Sequence, residues 1–560
     1  MAGGTVRFLS ERIKIDMKPT LQINPNDNVA VALRDLDAGE LVSPEGPALS
    51  APVSFKHKVA LADIAKGEKV VMYGVSVGEA LRSLKAGEPV AYEDLKQLTD
   101  KTVVRPANPV SPDMSGQLAD FEGVTFDGYH RADGKVGTSN VWLIIPLVFC
   151  VNKKSSEIGD ILIEQLGYAK RYKADLANFI DAYKNGGDVE AGEPVADFHL
   201  SGQEKVFKNV DGIKILTHDA GCGGTRADAK RFCDLLAGYI AHPNTAGATI
   251  ISLGCQNAQI PMIKESLAEQ APELDKPIYF HEQQQLGSEK ELVRQAVAST
   301  LKGLVRADKA VREPAPLSKL TLGLECGGSD GFSGITANPT MGLVSDMLVG
   351  AGGTSILGEF PELGGAEQDI VDRCVKEDLA HGFLKLMEDY RQKAEASGSG
   401  FDCNPSPGNI KDGLLTGAMK SAGAAQKGGR SPITDVLDYT GIAKEAGLNL
   451  LCTPGNDVES TTALVGSGAN VVLFSTGLGT PTGNPLAPVI KISSNSNTAQ
   501  RMRDVIDFDA GPVATEGVPL ETKAKELLRL VVEVASGRHD TKSWASGQDD
   551  FIVWKHDVSL

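Results

Sequence analysis

Short apolar runs alternate with longer amphipathic stretches along most of the chain after about residue 126. Eight of the runs are typical of buried strands: VWLIIPLVF, GIKILTH, ATIISLG, LTLGLE, TSILGEF, LNLLCT, NVVLFST and PVIKIS. Alternation of such strands with helical stretches like ADAKRFCDLLAGYIAH is typical of parallel α/β sheets. A basic and polar connection at 305–320 divides the pattern. We therefore predict an α/β middle domain over 126–315 and a parallel-sheet C-terminal domain over 316–515.

The first segment of the chain follows a different pattern. VALRDLDAGELV, VALADIAKGEKV and EALRSLKAGEPV share one order of apolar residues, Gly, a charged residue and Val, at offsets of 28 and 20 residues. Each unit predicts a turn that enters a short strand, so we expect a small β-rich domain over 16–95. The Pro-, Ser- and Asp-rich stretch 96–125 is typical of a linker. Residues 516–560 form a helical and then polar tail, to which we assign no catalytic role.

Composition and charge narrow the class of protein. Hydrophobic residues make up 41% of the 560 residues and charged residues 23%, which is ordinary for a globular protein. No apolar run is long enough to span a bilayer, and the N-terminus lacks a secretory signal, so we expect a cytoplasmic protein without a membrane partner. The net charge of −17 argues against nucleic acid as a partner. It allows an anionic small substrate, because a site can be locally positive.

Four of the eight cysteines end or closely follow an apolar strand: Cys150, Cys222, Cys255 and Cys326. No C-x-x-C pair is present, which together with the length of the chain argues against a disulfide scaffold. In open parallel sheets, ligands bind beyond the carboxyl ends of the strands. Cysteine also packs well in cores, but four at equivalent positions favour a chemical role. Thiolates favour iron, zinc or an iron–sulfur cluster.

Polar side chains gather at the same strand ends. The loop THDAGCGGTRAD carries His218, ECGGSDGFSG carries Glu325, and GEFPELGGAE carries Glu359 and Glu362. Turn chemistry alone explains single Gly, Ser and Asn residues in such loops. Six strand ends with polar or glycine-rich loops together predict one large site for a highly hydroxylated ligand. Its candidate substrate-binding residues are Ser329, Asn456, Asp457, Thr476 and Lys491.

Long motifs in these loops resemble the altronate and galactarate dehydratase family. They include GYHRADGKVGTSN, HPNTAGATIISLGCQNAQ, ECGGSDGFSGITANP, NPSPGN, PGNDVEST and FSTGLGTPTG. The resemblance covers nearly the whole chain and implies an N-terminal β-clip domain of the SAF type, a middle domain and a Rossmann-like C-terminal domain. FKHKVALADIAKG, HEQQQ and GGAEQ are closer to the altronate members, whereas the charged stretch within 151–210 departs from the family pattern.

The resemblance implies dehydration of a sugar acid to its 2-keto-3-deoxy product with the help of iron or manganese, and we expect a homodimer. In such a reaction a base takes the C2 proton and an acid protonates the leaving oxygen. Our candidates for these roles are His57, His218, Glu325 and Asp330. A lone histidine such as His57 is more often structural, but its place in a family motif favours a role in catalysis.

Two metal arrangements stay open. A single Fe²⁺ or Mn²⁺ prefers oxygen and imidazole ligands, whereas Cys222, Cys255 and Cys326 could hold an iron–sulfur cluster with one open iron. Alternative substrates are galactarate, other aldarates or aldonates, and a sulfolactate-like acid. A dinucleotide-dependent oxidoreductase is disfavoured because no G-x-G-x-x-G follows a strand. A carbohydrate-binding module would not need clustered Cys, His and Glu.

Overall fold

Five sheets organise the described part of the chain, and two of them are entirely parallel. The computed structural model describes residues 18–96, 102–106, 108–169, 180–181, 183–186 and 204–560. Residues 16–17 of the predicted β-rich domain, part of the predicted linker and most of the charged stretch at 167–194 lie outside the described residues. No helix among the described residues has the length and apolar character needed to cross a membrane.

The N-terminal segment forms two small antiparallel sheets, as its repeated turn pattern predicts. The four-stranded sheet contains Thr20–Leu21, Val29–Ala32, Lys58–Ala60 and Pro89–Val90. The three-stranded sheet contains Lys69–Met72, Val75–Ala80 and Leu95–Lys96. Their core extends into the C-terminal domain, because Phe332, Leu414 and Met419 pack in the same hydrophobic cluster. The β-domain is therefore seated directly on the C-terminal domain.

The middle domain is built on a four-stranded parallel sheet in the order Gly212–Ile215, Val141–Pro146, Thr245–Ser252 and Ile278–Glu282. Its longer helices are Asn152–Gln165, Arg226–Ala241, Ile260–Gln270 and Glu289–Ala307, with the short helix Gln283–Leu286. A separate antiparallel sheet joins Arg312–Pro316, Thr125–His130 and Val136–Gly137. The predicted boundary near 315 thus falls within a strand that pairs with the start of the middle domain.

The C-terminal domain contains a seven-stranded parallel sheet, which confirms the predicted α/β class. Its order is Ile433–Leu437, Gly447–Leu451, Thr354–Leu357, Thr321–Cys326, Val471–Thr476, Val489–Ser493 and Phe508–Asp509. The chain leaves the central strand Thr321–Cys326 toward one side and later returns on the other side. This reversal of strand order opens a crevice at the carboxyl ends, where open α/β sheets bind ligands.

Helices cover both faces of this sheet. They are Ala337–Gly350, Glu367–Asp372, Glu377–Ala396, Pro407–Lys411, Gly417–Ala425, Asp457–Gly466, Ser496–Arg501, Pro512–Thr515, Leu520–Ala535 and Lys542–Ser546. A further single-turn helix, Ser115–Leu118, precedes both α/β domains in the sequence. The middle and C-terminal domains share one core, in which the Tyr239 hydroxyl donates to the Thr462 carbonyl at 3.1 Å. The last residues return to the middle domain, where the Leu560 amide donates to the Gly223 carbonyl at 2.6 Å.

Candidate active site

A cavity of about 740 Å³ lies at the carboxyl ends of the central strands of the seven-stranded sheet. Its floor contains Cys326, Glu362 and Lys420, and Asp457 lines one wall. Residues 327–329 follow the strand that ends at Cys326, and the helix that begins at Asp457 follows the strand Gly447–Leu451. Both segments therefore begin at the same edge of the sheet, which explains why these side chains meet. Polar groups and a volume in the range of small-molecule sites suit a hydrophilic ligand.

The floor residues belong to a buried network of one thiol, two carboxylates and two ammonium groups, which are those of Cys326, Glu359, Glu362, Lys420 and Lys427. The Lys427 Nζ lies 2.9 Å from the Cys326 Sγ and also pairs with Glu359. The Cys326 thiol donates to a Glu362 oxygen at 3.2 Å, and Lys420 pairs with Glu362 at 2.7 Å. Each of these charges has an opposite partner, as buried charges require.

The network shifts the pKa values of its members in different directions. Burial raises the pKa of the Cys326 thiol and of the Glu359 carboxyl, and for Glu359 the paired Lys427 opposes this effect. Burial would also raise the pKa of Glu362, but Lys420 and Lys427 outweigh it and lower this pKa. Burial opposes the charge of Lys427, yet the surrounding thiol and carboxyls raise its pKa well above the usual value.

The same group offers the donor atoms of a metal site. The ligand atoms of Cys326, Glu359 and Glu362 lie within 4.8 Å of one another, and these three buried residues form the one such cluster found among the described residues. The backbone of Glu359 is held in the left-handed region with φ of 60°, while its amide donates to the Thr453 hydroxyl at 2.6 Å. A non-glycine residue in this conformation is strained, and such strain concentrates at functional sites. One thiol and two carboxylates suit a divalent transition ion such as Fe²⁺ or Mn²⁺.

Two predicted residues form a buried row beneath the cavity. Glu325 pairs in register with Phe474, and Phe474 with Lys491, across three adjacent strands. The Ser460 hydroxyl donates to one Glu325 oxygen at 2.6 Å, and burial raises the pKa of this carboxyl. The Lys491 Nζ lies 3.2 Å from the centre of the Phe474 ring, and burial lowers its pKa to about 7. Neither side chain lines the cavity, so the row supports the floor from below.

The predicted catalytic residue Asp330 serves as an anchor between domains. Its carboxylate pairs with Lys56 of the β-domain at 2.7 Å and accepts hydrogen bonds from Ser333, Ser494 and Asn495. Both oxygens are buried and engaged, so Asp330 joins the β-domain to the C-terminal domain in this structure. Its acid–base role stays a prediction from the sequence.

His57 also lies at the domain contact. One ring nitrogen lies 3.0 Å from the Lys411 carbonyl oxygen of the C-terminal domain. His57 is not among the residues that line the 740 Å³ cavity, although Asn409, two residues before Lys411, is. The acid–base role of His57 stays a prediction from the family motif.

His218 belongs to the backbone framework of the middle domain. Its Nε2 lies 2.8 Å from the Pro146 carbonyl, its Nδ1 accepts from the Ala220 amide at 3.1 Å, and its ring packs edge-on against Phe232. Burial lowers the pKa of this imidazole. With both ring nitrogens engaged, His218 holds the glycine-rich loop in place, and its catalytic role stays a prediction.

The three cysteines predicted as one ligand set lie on two different sheets. Cys326 is buried at the end of a C-terminal strand, whereas Cys222 and Cys255 are exposed at the edge of the middle sheet. The described structure does not bring the three thiols within 4.8 Å of one another. Equivalent strand-end positions in sequence therefore belong to two different sheets. The separation excludes one small ion held by all three thiols, whereas their joint part in a cluster stays a prediction.

The predicted substrate-binding residues divide into two groups. Ser329 and Asp457 line the cavity. The Asn456 side chain instead caps the helix Asp457–Gly466 by accepting from the amides of residues 458 and 459. The Thr476 hydroxyl accepts from the amides of Gly479 and Thr480 in the following turn. Both side chains therefore have a role in the local cap or turn, and their part in substrate binding stays a prediction.

Several residues of the site escaped prediction from the sequence. Lys420 and Lys427 are the two charged residues of GAMKSAGAAQKGG, a segment otherwise made of small or uncharged residues. Lys420 lies in the helix Gly417–Ala425 and lines the cavity, whereas Lys427 lies in the turn that follows this helix. The C-terminal tail also contributes to the wall through Trp554, Lys555 and His556, contrary to our expectation of a tail without a part in the site.

Comparison with known proteins identifies the family of this chain. Residues 18–98 match the altronate/galactarate dehydratase SAF domain, 128–308 the second domain of D-galactarate dehydratase/altronate hydrolase, and 317–559 the C-terminal domain of D-galactarate/altronate dehydratase. Altronate dehydratase of Escherichia coli (strain K12) is 37% identical over 96% of this chain and 99% of its own length. Altronate dehydratase of Bacillus subtilis (strain 168) is 34% identical over 93% of this chain and 96% of its own. Galactarate dehydratase (L-threo-forming) of E. coli is 30% identical over 93% and 94%. The chain belongs to the altronate/galactarate dehydratase family.

Proposed function

We propose that this protein is a hydro-lyase that removes water from a sugar acid, with altronate as the first substrate to test. The observation that carries this proposal is the similarity to two altronate dehydratases, at 37% and 34% identity over more than nine tenths of the chain. The galactarate relative is 30% identical, so altronate ranks ahead of galactarate. We also expect the protein to be cytoplasmic and to form a homodimer. Light scattering after size-exclusion chromatography would measure the molar mass and so test the dimer.

The cavity supports binding of a polyhydroxy anion. Exposed Lys393 and Lys555 at its rim can attract the carboxylate, and Asn404 offers its side-chain amide to the hydroxyl groups. The Lys420 ammonium is held at the floor by Glu362 at 2.7 Å and Asn404 at 2.8 Å. A fixed cation here would stabilise the negative charge that builds up on the substrate as its C2 proton leaves.

Asp457 is the side chain best suited to move the proton. It lines the cavity, it is half-buried, and burial together with the nearby Glu362 raises its pKa above the ordinary aspartate value. In the proposed reaction its carboxylate takes the C2 proton, the electrons of that bond form the C2–C3 double bond, and the C3–O bond breaks. Returning the proton to the departing hydroxide yields water and restores the carboxylate. The enol then becomes the 2-keto-3-deoxy acid.

Cys326, Glu359 and Glu362 would hold the divalent ion, Fe²⁺ or Mn²⁺, that the family resemblance implies. The fit rests on three converging buried donor atoms and on lysines that balance the charge of the carboxylates. When bound, such an ion would polarise the substrate oxygens and ease departure of hydroxide.

Anaerobic incubation with Fe²⁺ or Mn²⁺ and a panel of aldonates and aldarates tests the proposal. We expect altronate to give a 2-keto acid and water at the highest kcat/KM, and chelation to remove the activity. Glu362→Gln should lower the bound metal while leaving the fold intact. Absence of turnover with every sugar acid in the presence of either metal would contradict the proposed function.

A further inference from the structure

Three exposed thiols lie at one edge of the middle sheet. Cys150, Cys222 and Cys255 each follow one of three neighbouring parallel strands, Val141–Pro146, Gly212–Ile215 and Thr245–Ser252. Neighbouring strands of a sheet are about 4.8 Å apart, so the loops that follow them begin side by side. None of the three thiols is in a disulfide.

Direct hydrogen bonds tie the three loops together. The Phe149 amide donates to the Ala220 carbonyl at 2.8 Å, which joins the loop of Cys150 to that of Cys222. The Asn257 side-chain amide donates to the Cys222 carbonyl at 3.1 Å and to the Gly224 carbonyl at 2.8 Å, which joins the loop of Cys222 to that of Cys255. Each cysteine lies within two residues of a residue that makes one of these hydrogen bonds. The three loops that carry the thiols are therefore held next to one another.

Exposure of three thiols together is unusual, because cysteine is among the residues most often buried. Four of the remaining cysteines in this chain are buried: Cys233, Cys326, Cys374 and Cys452. The thiols at the middle edge are not close enough for one small ion, since no group of them lies within 4.8 Å. An iron–sulfur cluster needs a wider spacing, because each thiolate binds a different iron.

We propose that Cys150, Cys222 and Cys255 hold an iron–sulfur cluster of the four-iron type through three thiolates. Each thiol loses its proton when its sulfur binds iron. Three cysteines leave the fourth iron without a protein thiolate, open to an oxygen ligand. The site is separate from the group at Cys326. It lies near a smaller cavity of about 290 Å³, lined by Gly221, Gly223 and Asn257 and also by Trp554 and Lys555. The last two residues line the 740 Å³ cavity as well, so the two cavities share a wall.

Anaerobic reconstitution of the full chain with equal amounts of Fe²⁺ and Fe³⁺ and with sulfide tests this site, because two ferrous and two ferric ions with four sulfides make up the cluster without a further oxidant. We expect about four iron and four acid-labile sulfide per chain, with the broad visible absorption of a thiolate-bound cluster. Cys222→Ser and Cys255→Ser should each lose most of the sulfide, and the double variant should lose all of it. Because these positions are exposed, serine should leave the thermal unfolding midpoint unchanged, which is measured alongside.

Two control variants separate this site from the proposed active site. Cys403→Ser removes another exposed thiol and should keep the sulfide content of the unchanged protein. Cys326→Ser should also keep the sulfide, although it removes a proposed ligand of the divalent ion. Iron without sulfide in the unchanged protein, or full sulfide in the Cys222→Ser/Cys255→Ser variant, would overturn the proposal. Either result leaves the sugar-acid assay to decide the proposed function independently.

Discussion

Gly327→Ala tests whether the position of the Asp457 side chain matters, because it displaces this carboxylate and leaves the carboxyl group itself unchanged. A Cβ at residue 327 would lie 2.1 Å from the Asp457 Oδ2 and 2.8 Å from the Phe474 Cζ. Ordinary contact begins at 3.4 Å, so the carboxylate oxygen would have to retreat by about 1.3 Å to restore normal packing. The backbone at Gly327 is not in the left-handed region, so alanine adds no backbone strain of its own.

A displacement of this size should lower turnover strongly. Misplacing a reacting group by about 1 Å can cost roughly 100-fold in rate, so we expect kcat for the sugar acid to fall by about that factor. Steady-state kinetics on the metal-loaded protein measures it, with bound metal and thermal unfolding recorded for each variant. Gly382→Ala is the matched control, because nothing lies within 4 Å of its added methyl group, and it should retain the full rate.

The double variant decides whether the effect passes through Asp457. Asp457→Asn alone should lower kcat by about 100- to 10,000-fold, the usual contribution of a general acid–base group. If Gly327→Ala acts by moving this carboxylate, then combining the two should cost little more than Asp457→Asn alone. Equal rates for Gly327→Ala and Gly382→Ala, or fully multiplicative losses in the double variant, would refute this reasoning.

Three further predictions concern the buried network, the middle domain and the tail. Lys427→Met should lower the free energy of unfolding by about 3–5 kcal/mol, because it leaves the buried Glu359 carboxylate unpaired, and adding Glu359→Gln should recover part of the loss. In urea titrations the exposed-pair control Lys385→Met should cost less than about 1 kcal/mol, and similar losses for both lysines would contradict the account. Burial, with a smaller effect of Lys276, lowers the pKa of His242 from 6.5 to about 3. Its contribution to stability is therefore complete above pH 6.5 and is lost as the pH falls toward 3, at up to about 1.4 kcal/mol per pH unit. His242→Asn should show a weaker loss of stability over that range, and an identical pH dependence would exclude this residue as a source. Lys555→Met should raise KM for the sugar acid about tenfold, equivalent to about 1.4 kcal/mol, with little change in kcat, and an unchanged KM would remove the tail from the binding surface.

The sequence predicted the interior strands well, and the reason is physical. All eight apolar runs coincide with strands, and seven of these are interior strands of a parallel sheet, which are buried on both faces. Three other strands of the two parallel sheets were not recognised: Ile278–Glu282, Ile433–Leu437 and Phe508–Asp509. Each lies at the edge of its sheet and is mostly half-buried, so its polar residues interrupt the apolar pattern.

The candidate site was predicted only in part. A residue at a strand end can be placed at one edge of its sheet, but the sequence does not show which distant residue it contacts there. Asp457, Ser329 and Cys326 were found from their strand-end loops, and all three line the cavity. Lys427 lies 101 residues from Cys326 in sequence, and no local pattern reveals that the two meet. His218 and Asp330 have the residue types of catalysts and are held by framework hydrogen bonds outside the cavity lining, and their catalytic roles stay predictions.

The central claim is that this cavity dehydrates altronate through Asp457. The most direct measurement follows the formation of the 2-keto-3-deoxy acid from altronate by the metal-loaded protein and by its Asp457→Asn variant. The account predicts multiple turnovers by the unchanged protein and a kcat lower by about 100-fold or more in the variant, with the same amount of bound metal. Failure of the unchanged protein to convert altronate, or an Asp457→Asn variant that turns over at the same rate, would contradict it.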